Sequence, residues 1–283
     1  MEASNGSHLS VKDCFLTSEC LCVVEVQGTD TTVCFDGCTI EDGAHADDGG
    51  FSIYDGAQAV LRGNRISAHV HSAIEIQGEG TVADLMSNTV CGARYSGVVV
   101  REGARATLRG NNICGNSYDG IEVNHRGTEV KLANNHIHGG FRYGVRVSEL
   151  ASAHMNGNSI VGNDLTGVHI DFGSSVEMRG NSITRNGLAN KSRHTDELER
   201  FSTHEQRAYR AGKGFPGVCV LRGSTVSFAG SGGASASAQS TDTGDNLIVG
   251  NGHCEKQVKF SADFDLTDTS ATGTVSMFGP TSD

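Results

Sequence analysis

Three observations predict an all-β chain folded as a parallel β-helix of about nine coils. Apolar and polar residues alternate in short runs, as in strands whose side chains point to opposite faces. Glycine is abundant, with 38 residues, and proline is rare, with 2. Asparagine recurs every 23 or 24 residues, two places before an aliphatic residue, at Asn64, Asn88, Asn111, Asn135, Asn158 and Asn181. A fixed period of this length is typical of a stack of similar units.

Each repeat predicts three short strands, and the repeat around Ile113 shows the pattern. Ala106 and Leu108 form one inward-facing pair. Ile121 and Val123 form a second pair, directly after a glycine suited to a tight corner. No stretch of helical periodicity separates the strands. Three strands per turn, each stacked on the equivalent strand of the next repeat, describe a parallel β-helix.

The coils are expected to cover residues 9–260 of a single domain that spans 1–283. Residues 188–213 are charged and contain a helix-start pattern, which predicts a charged and partly helical insertion. Residues 230–244 are rich in Gly, Ser and Ala and predict a loop. Residues 261–283 predict a last coil or a cap, because open strand edges need to be covered.

The recurring asparagines have a structural role in such a stack. Side chains at one position of successive coils can hydrogen-bond along the axis, as in other in-register ladders. Cys14 and Cys38 occupy this position in the first two coils, so the ladder is expected to begin with sulfur. The asparagines therefore indicate architecture, and counting from them locates the residues that face solvent.

The charge and hydropathy of the chain limit the kinds of molecule that it is expected to bind. The formal net charge is −11, so the chain would repel a phosphate backbone and we expect no nucleic-acid partner. No run approaches 18 apolar residues, and the first residues lack the pattern of a secretory signal. We therefore expect an intracellular protein, cytoplasmic or cytoskeletal, without membrane insertion.

Nine cysteines, an odd number, favour a reducing compartment over a disulfide framework. Cys91 and Cys114 share one position on adjacent coils, as do Cys14 and Cys38, so each pair could bridge if oxidised. We expect these cysteines to be reduced.

Residues 108–123, from Leu-Arg-Gly-Asn-Asn-Ile to Gly-Ile-Glu-Val, resemble the repeat of the right-handed β-helix superfamily, and residues 135–147 look like its alternate unit. Similar repeats occur in F-box substrate receptors of ubiquitin ligases, in a cytokinesis-linked partner of the Shc adaptor, in NosD and in polysaccharide-degrading enzymes. The resemblance implies a right-handed helix whose elongated surface binds protein or carbohydrate. With the first coil beginning by Leu9, no F-box is expected, and the ubiquitin-ligase role is not carried over.

Counting from the asparagines predicts a solvent-facing stripe beside the second inward pair of each coil. Exposed tyrosines flanked by charged and amide groups suit a sugar or a peptide, because flat rings stack and polar groups orient the ligand. An ordinary solvated face is the alternative interpretation. The residues expected to bind a ligand or partner are Tyr95, Arg101, Tyr118, Glu122, Arg142, Arg146, His169 and Asp171.

Catalytic chemistry has weaker support in the sequence. Glu75 and Glu122 lie two coils apart, roughly 9.6 Å between backbones, near the upper limit of carboxylate spacing in inverting glycosidases. Asp47 and Asp48 have no basic residue in register, as a lyase would need. The loose spacings of cysteine and histidine do not define a tetrahedral metal site. We assign no catalytic residue, no metal and no cofactor.

The sequence thus favours a non-enzymatic scaffold or interaction protein that binds a protein partner or an extended ligand along the stripe, within a larger assembly. The alternative is a carbohydrate-binding or carbohydrate-active β-helix protein, similar to a polysaccharide lyase or glycosidase, with an oligosaccharide on the same stripe. A purely structural unit is the third hypothesis.

Overall fold

The computed structural model describes residues 1–18, 22–42, 49–67, 71–188, 217–220, 224–228, 247–249 and 258–260. Within these ranges the chain consists of β-strands and turns, without a helix, which confirms the all-β class. Apart from Leu188, the predicted insertion at 188–213 lies outside the described residues. The loop at 230–244 and the segment 261–283 also lie outside them.

The structure contains short strands of two to five residues. In chain order they are β1 (Glu2–Ala3), β2 (His8–Lys12), β3 (Phe15–Ser18), β4 (Val24–Gln27), β5 (Thr32–Asp36), β6 (Thr39–Asp42), β7 (Phe51–Tyr54), β8 (Gln58–Arg62), β9 (Arg65–Ser67), β10 (Ile74–Gln77), β11 (Val82–Met86), β12 (Thr89–Cys91), β13 (Val98–Arg101), β14 (Arg105–Arg109), β15 (Asn112–Cys114), β16 (Ile121–Asn124), β17 (Glu129–Ala133), β18 (His136–His138), β19 (Val145–Ser148), β20 (Ser152–Asn156), β21 (Ser159–Val161), β22 (Val168–Ile170), β23 (Ser175–Arg179), β24 (Ser182–Thr184), β25 (Val218–Val220), β26 (Thr225–Phe228), β27 (Leu247–Val249) and β28 (Val258–Phe260).

The strands enter three parallel sheets in strict rotation. Sheet A takes every third strand from β1 to β28, sheet B every third strand from β2 to β26, and sheet C every third strand from β3 to β27. Neighbouring strands within a sheet are parallel and come from consecutive repeats, for example β13 between β10 and β16. Three consecutive strands therefore form one coil of a parallel β-helix, as predicted.

The core lies between the three sheets and is filled by alternate residues of each strand. Leu108, Ile113 and Ile121 belong to the same coil, on sheets B, C and A, and all three are buried. Nearer the N-terminus, Phe35 and Phe51 meet edge to face with ring centres 5.0 Å apart. Burying a large apolar side chain contributes about 1.5–3 kcal/mol, so the repetition of these positions stabilises the stack.

The predicted asparagine ladder is confirmed. The Asn88 side-chain amide donates to Asn111 Oδ1 at 3.0 Å, and the Asn88 backbone N–H donates to the same oxygen at 2.9 Å. Asn88 Nδ2 also donates to the carbonyl of Leu61 at 2.8 Å. Equivalent bonds link the rungs from Asn64 to Asn181. Each amide thereby satisfies buried backbone groups at one corner of the coil.

A second, partial ladder was not predicted and lies five residues further along the chain. Asn163 Nδ2 donates to Asn186 Oδ1 at 2.9 Å, and the backbone N–H of Asn163 donates to the same oxygen at 3.0 Å. Asn116 Oδ1 accepts from the N–H of Ala93, and Asn163 Oδ1 accepts from that of Gly140, each at 3.0 Å. Because Ala93 and Gly140 occupy rungs of this ladder, the period of the asparagines is broken and the pattern is hard to see in the sequence.

The corners before β10, β13, β16, β19 and β22 carry the predicted small residue, alanine in the first and glycine in the others, and the reason for glycine is steric. A Cβ on Gly144 would lie 2.5 Å from Ile160 Cγ2 and 2.6 Å from the carbonyl oxygen of Gly167. Both distances are shorter than any ordinary contact. The coils therefore pack too closely at this corner for a side chain.

The expectation that every cysteine is reduced is wrong for one pair. Cys91 and Cys114 form a disulfide between adjacent coils, with Cα atoms 4.6 Å apart. Parallel strands in register bring identical positions to this distance, which lies within the range that a disulfide spans. Cys14 and Cys38, the other stacked pair, remain free thiols.

In the part of the chain that the structure describes, no helix has the length and the hydropathy needed to cross a bilayer.

Candidate functional site

The predicted stripe consists of three adjoining columns of side chains, which belong to the outer face of sheet A, to the turns before its strands and to the ends of those strands. The central column belongs to sheet A, where Glu122 pairs in register with Val99 on one side and with Arg146 on the other. His169 follows Arg146 on the next coil. The register therefore places these side chains on the outer face, one coil apart, as the sequence predicts.

The turns before sheet A supply the second column. The Tyr118 backbone N–H donates to the carbonyl of Tyr95 at 3.1 Å, and the Arg142 N–H donates to that of Tyr118 at 3.2 Å. Consecutive turns are thus hydrogen-bonded to one another as strands would be. Tyr95, Tyr118 and Arg142 occupy equivalent positions one coil apart, and the structure brings all three together.

Ring contacts run along this turn column. His71 stacks on Tyr95 with ring centres 4.7 Å apart, and Tyr95 lies 6.4 Å from Tyr118 in a tilted arrangement. The Arg142 guanidinium carbon lies 4.2 Å from the centre of the Tyr118 ring. A guanidinium at this distance over an aromatic face is attracted by the ring quadrupole. The three rings and the guanidinium form a continuous stack over four coils.

The stack continues from the turn column onto sheet A. The Arg142 guanidinium also lies 5.0 Å from the Tyr143 ring, and Tyr143 stacks on His169 with ring centres 4.3 Å apart. His169 Nε2 is 3.8 Å from Asp171 Oδ2. Tyr143 was not predicted as a site residue. Counting from the asparagines places Arg142 in the turn column, and Tyr143 is the next residue along the chain.

Glu122 is the centre of a polar network on the sheet. Its Oε1 accepts from Arg146 at 3.2 Å and from Asn124 Nδ2 at 2.7 Å, and its Oε2 accepts from Ser96 Oγ at 2.9 Å. Charge-assisted bonds of this kind are roughly twice as strong as neutral ones. Glu122 therefore holds Arg146 in a fixed position on the floor of the stripe.

Arg101 lies at the N-terminal end of this network and binds a second carboxylate. Its guanidinium is 2.6 Å from Glu75 Oε1 and donates to Gln77 Oε1 at 2.7 and 3.0 Å. Glu75 and Glu122 are two coils apart through Val99, as predicted, yet each carboxylate is bound by its own arginine. This pairing leaves neither carboxyl group arranged as the general acid of a glycosidase.

Asp119 is the site residue that sequence reasoning missed. Burial raises the pKa of its carboxyl to about 7, against the opposing effect of the Arg142 charge. Asp119 Oδ1 accepts from the Tyr143 N–H at 3.1 Å, while Oδ2 is buried without a hydrogen-bond partner among the described residues. The available indication in the sequence was a carboxyl at a corner position that carries no acidic residue in the neighbouring coils, where it is Ser72, Ser96, Tyr143 and Thr166.

The floor of the stripe is shielded rather than fully exposed. The Glu122 and His169 side chains are only 15% and 11% exposed, whereas Tyr95 is 45% exposed. Burial is also the main cause that raises the pKa of the Tyr118 phenol, which indicates that this ring is partly withdrawn from solvent. The stripe therefore combines charged groups shielded from solvent with an exposed ring.

The described ranges contain no cluster of three or more His, Cys, Asp or Glu side chains arranged to hold a metal ion in this state of the protein. The stripe itself is held together by arginine–carboxylate and ring contacts. These contacts need no ion to neutralise the acidic groups.

Comparison with known protein families identifies the class. The family model described as a right handed beta helix region matches residues 1–135 and 50–254. The chain belongs to this family of right-handed β-helix proteins, which confirms the resemblance of its repeats and the handedness that they imply. None of the curated proteins matches the chain.

Solved structures with a similar fold include two alginate epimerases. A point mutant of the periplasmic alginate epimerase AlgG has a TM-score of 0.48 at 10% identity, over 94% of this chain and 67% of that one. The A-module of the mannuronan C-5 epimerase AlgE6 of Azotobacter vinelandii has a TM-score of 0.44 at 13% identity, over 94% and 76%. Likenesses at this level assign no residue a role in the present chain.

Proposed function

We propose that this protein is a carbohydrate-active β-helix protein that binds an acidic polysaccharide along the stripe. The observation that carries the proposal is the continuous stack of His71, Tyr95, Tyr118 and Arg142 beside the shielded charges of sheet A. This corresponds to the alternative drawn from the sequence rather than to its first hypothesis of a non-enzymatic scaffold.

The rings supply a surface for sugar faces. Consecutive ring centres in the stack are 4.7 and 6.4 Å apart, along the direction in which coils repeat. Tyr95 is exposed at the surface, and the Arg142 guanidinium lies over the Tyr118 ring. Tyrosine presents an apolar ring together with a polar hydroxyl, so it can stack on a sugar and hydrogen-bond to it. An extended chain of sugars suits this geometry better than a compact ligand.

The arginines favour an acidic sugar. Arg142 and Arg146 come from adjoining columns, and both influence the same buried carboxyl, that of Asp119. Guanidinium groups bind carboxylates through two parallel hydrogen bonds, and they are more easily desolvated than an ammonium group. The net charge of −11 on the chain opposes the binding of a polyanion, so these arginines would have to outweigh that repulsion locally. A uronate carboxylate is the sugar substituent that such side chains would bind, and Arg146 is the more accessible of the two, since Arg142 is buried.

Proton transfer next to that carboxylate is the reaction that the residue set supports. Removing the proton from the adjacent carbon requires the carboxylate charge to be neutralised, which Arg142 would do, and a base. His169, oriented by stacking on Tyr143 and by Asp171, is the candidate base. Tyr118, whose phenol carries a proton at neutral pH, is the candidate acid. Lyases and epimerases of uronates share this first step.

The test is calorimetric titration with oligouronates of defined length and with neutral oligosaccharides of the same length. We expect the oligouronates alone to bind. Tyr118→Ala and Arg142→Met should each weaken binding about tenfold or more, since each removes a central contact. Tyr54→Ala, a tyrosine on the same sheet near the N-terminus that hydrogen-bonds to Glu25, and Arg109→Met, an exposed arginine on sheet B, are the matched controls.

Catalysis is tested in D2O with the same oligouronates. Deuterium at the carbon that bears the carboxylate, or an unsaturated product, would support proton abstraction, and His169→Gln should abolish it. Equal binding of acidic and neutral oligosaccharides, or equal losses in the Tyr54→Ala and Arg109→Met controls, would contradict the proposal.

A protein partner is the second candidate, and one observation favours it. Leu150 and Phe172, on adjacent coils beyond the end of the stripe, are 47% and 43% exposed, and the Leu150 N–H donates to the Phe172 carbonyl at 3.1 Å. Adjacent exposed apolar side chains are typical of interaction surfaces. Co-purification of a partner that is lost on Leu150→Ser, with no oligosaccharide binding by the parent protein, would favour this function.

A further inference from the structure

The outer face of sheet C carries a group of sulfur and nitrogen ligands that the stripe does not use. Cys91, Cys114 and His138 end β12, β15 and β18 and lie in one column, because these strands pair in register. His136 precedes His138 by two residues on β18, with the buried Ile137 between them. The two imidazoles therefore project from the same face, and their ring centres are 4.3 Å apart.

We propose that reduction of the Cys91–Cys114 disulfide opens a Zn²⁺ site formed by the two thiolates and the imidazoles of His136 and His138. The oxidised protein lacks this site, because both sulfurs are bonded to each other. Two cysteines with two histidines is a ligand set that zinc takes in closed tetrahedral sites.

The spacing of the coils fits the metal. The Cα atoms of Cys91 and Cys114 are 4.6 Å apart. Two sulfurs bound to one tetrahedral Zn²⁺ lie about 3.8 Å apart, since each Zn–S bond is about 2.3 Å long. The thiolates therefore need only to separate by a side-chain rotation after reduction, and the backbone ladder stays in register. His138 comes one strand spacing further along the same column.

Asn112 connects the cysteine and the histidine before any metal binds. Its Oδ1 is 2.9 Å from His138 Nε2, and its Nδ2 lies 3.9 Å from Cys114 Sγ. The His138 tautomer that donates from Nε2 to Asn112 keeps a lone pair on Nδ1 for the metal. An outer hydrogen bond of this kind orients metal-binding imidazoles and fixes their tautomer.

The proposed ligands lie at the surface of sheet C, where His136 is exposed. Cys91, Cys114 and His138 are all partly covered, which restricts but does not prevent access from solvent.

The chemistry balances as two steps. A dithiol reductant passes two electrons and two protons to the disulfide, which becomes two thiols while the dithiol closes into its own disulfide. Zn²⁺ then binds the two sulfurs and displaces two protons to solvent. In reverse, the two thiolates pass two electrons to a disulfide oxidant, which takes up two protons from solvent and becomes a dithiol, while the sulfur–sulfur bond forms again and the ion is released. Metal occupancy would thereby follow the redox state of the protein.

The test uses Co²⁺ as a spectroscopic substitute for Zn²⁺ on the full chain, with and without a phosphine reductant that does not bind the metal strongly. We expect one equivalent of Co²⁺ to give thiolate charge-transfer bands and the intense d–d bands of a tetrahedral site in the reduced protein only. Zn²⁺ should abolish these bands stoichiometrically. Thiol titration should show two fewer reactive thiols in the zinc-loaded protein.

The variants distinguish this site from the other thiols of the chain. Cys91→Ser should remove the charge-transfer bands, and His138→Ala, which leaves both cysteines in place, should lower Co²⁺ affinity at least tenfold. Cys34→Ser and His154→Ala, on sheet B, are the controls and should change neither. Bands of full intensity in the Cys91→Ser protein, bands lost in the Cys34→Ser protein, or no tetrahedral Co²⁺ in the reduced parent would each overturn the proposal. Circular dichroism of every variant identifies any that fails to fold.

Discussion

The Arg142 guanidinium lies over the Tyr118 ring, 4.2 Å from its centre, and the two residues occupy the same turn position on consecutive coils. Their contact is a direct product of the repeat, because each coil places its turn residue against that of the coil before. It is also the contact from which ring stacking continues in both directions, towards Tyr95 and towards Tyr143. The proposed sugar-binding surface depends on this pair.

Arg142→Lys tests the geometry of the pair rather than its charge. Lysine keeps the positive charge but lacks the planar group that stacks on Tyr118 and binds a carboxylate through two bonds. We expect oligouronate affinity to fall about tenfold, measured by calorimetry, with little change in its dependence on salt. Arg109→Lys on sheet B is the control. Unchanged affinity in the Arg142→Lys protein would show that charge alone is recognised.

The pKa of Asp119 predicts how stability depends on pH. Its folded value of about 7 lies above that of an unfolded aspartate, about 3.9, so the folded state binds the extra proton between these values. The contribution of this carboxyl to the free energy of unfolding is fully present below about pH 4 and is lost as pH rises to about 7. We expect urea midpoints to fall over this window.

Asp119→Asn should remove the fall in the urea midpoint between about pH 4 and pH 7, and it should raise stability at pH 8 relative to the parent protein. The comparison is best made as the difference in urea midpoint between variant and parent at each pH, because other groups then cancel. Asp30→Asn, in an exposed turn, provides the control. A difference between Asp119→Asn and parent that does not change between pH 4 and pH 8 would contradict the raised pKa.

Removing one asparagine of the ladder should greatly lower the free energy of unfolding. Asn111→Ala leaves the buried side-chain amide and backbone N–H of Asn88 and the carbonyl of Leu85 without their partner. Each such group costs about 1–3 kcal/mol, so we expect a loss on the order of 3 kcal/mol or more in denaturant unfolding. Asn156→Ala, an exposed asparagine on sheet B, should change stability by less than about 0.5 kcal/mol. Similar losses in both variants would argue against the ladder's contribution.

Two glycine substitutions distinguish a loss of stability caused by steric overlap from one caused by an unfavourable backbone conformation. Gly144→Ala puts a Cβ within 2.6 Å of neighbouring coils, so the stack must shift. Gly162→Ala meets no atom within 4 Å but has a φ of +65°, which costs about 1–2 kcal/mol for alanine. We expect Gly144→Ala to lower the unfolding free energy more than Gly162→Ala. The reverse order, measured by urea unfolding, would show that the corner is less tightly packed than its contacts indicate.

The position of the stripe could be predicted because the period of the asparagines fixes the register. Glu122, Arg146 and His169 follow one another on the sheet as counted. Their partners could not be predicted in the same way. Ser96 binds Glu122 only because a turn of the preceding coil approaches the sheet, and periodicity does not encode side-chain direction at a turn.

The sequence by itself determined the class of fold, the three strands per coil, the inward residues and the asparagine ladder, because each follows from a pattern repeated at a constant interval. Only the tertiary structure decided the burial of Asp119, the passage of the stack from Arg142 through Tyr143 to His169, and the bond between Cys91 and Cys114. Burial, ring orientation and sulfur contacts depend on distances between side chains of adjacent coils. The repeat interval places such residues on adjacent coils, but the distances between their side-chain atoms are set by packing.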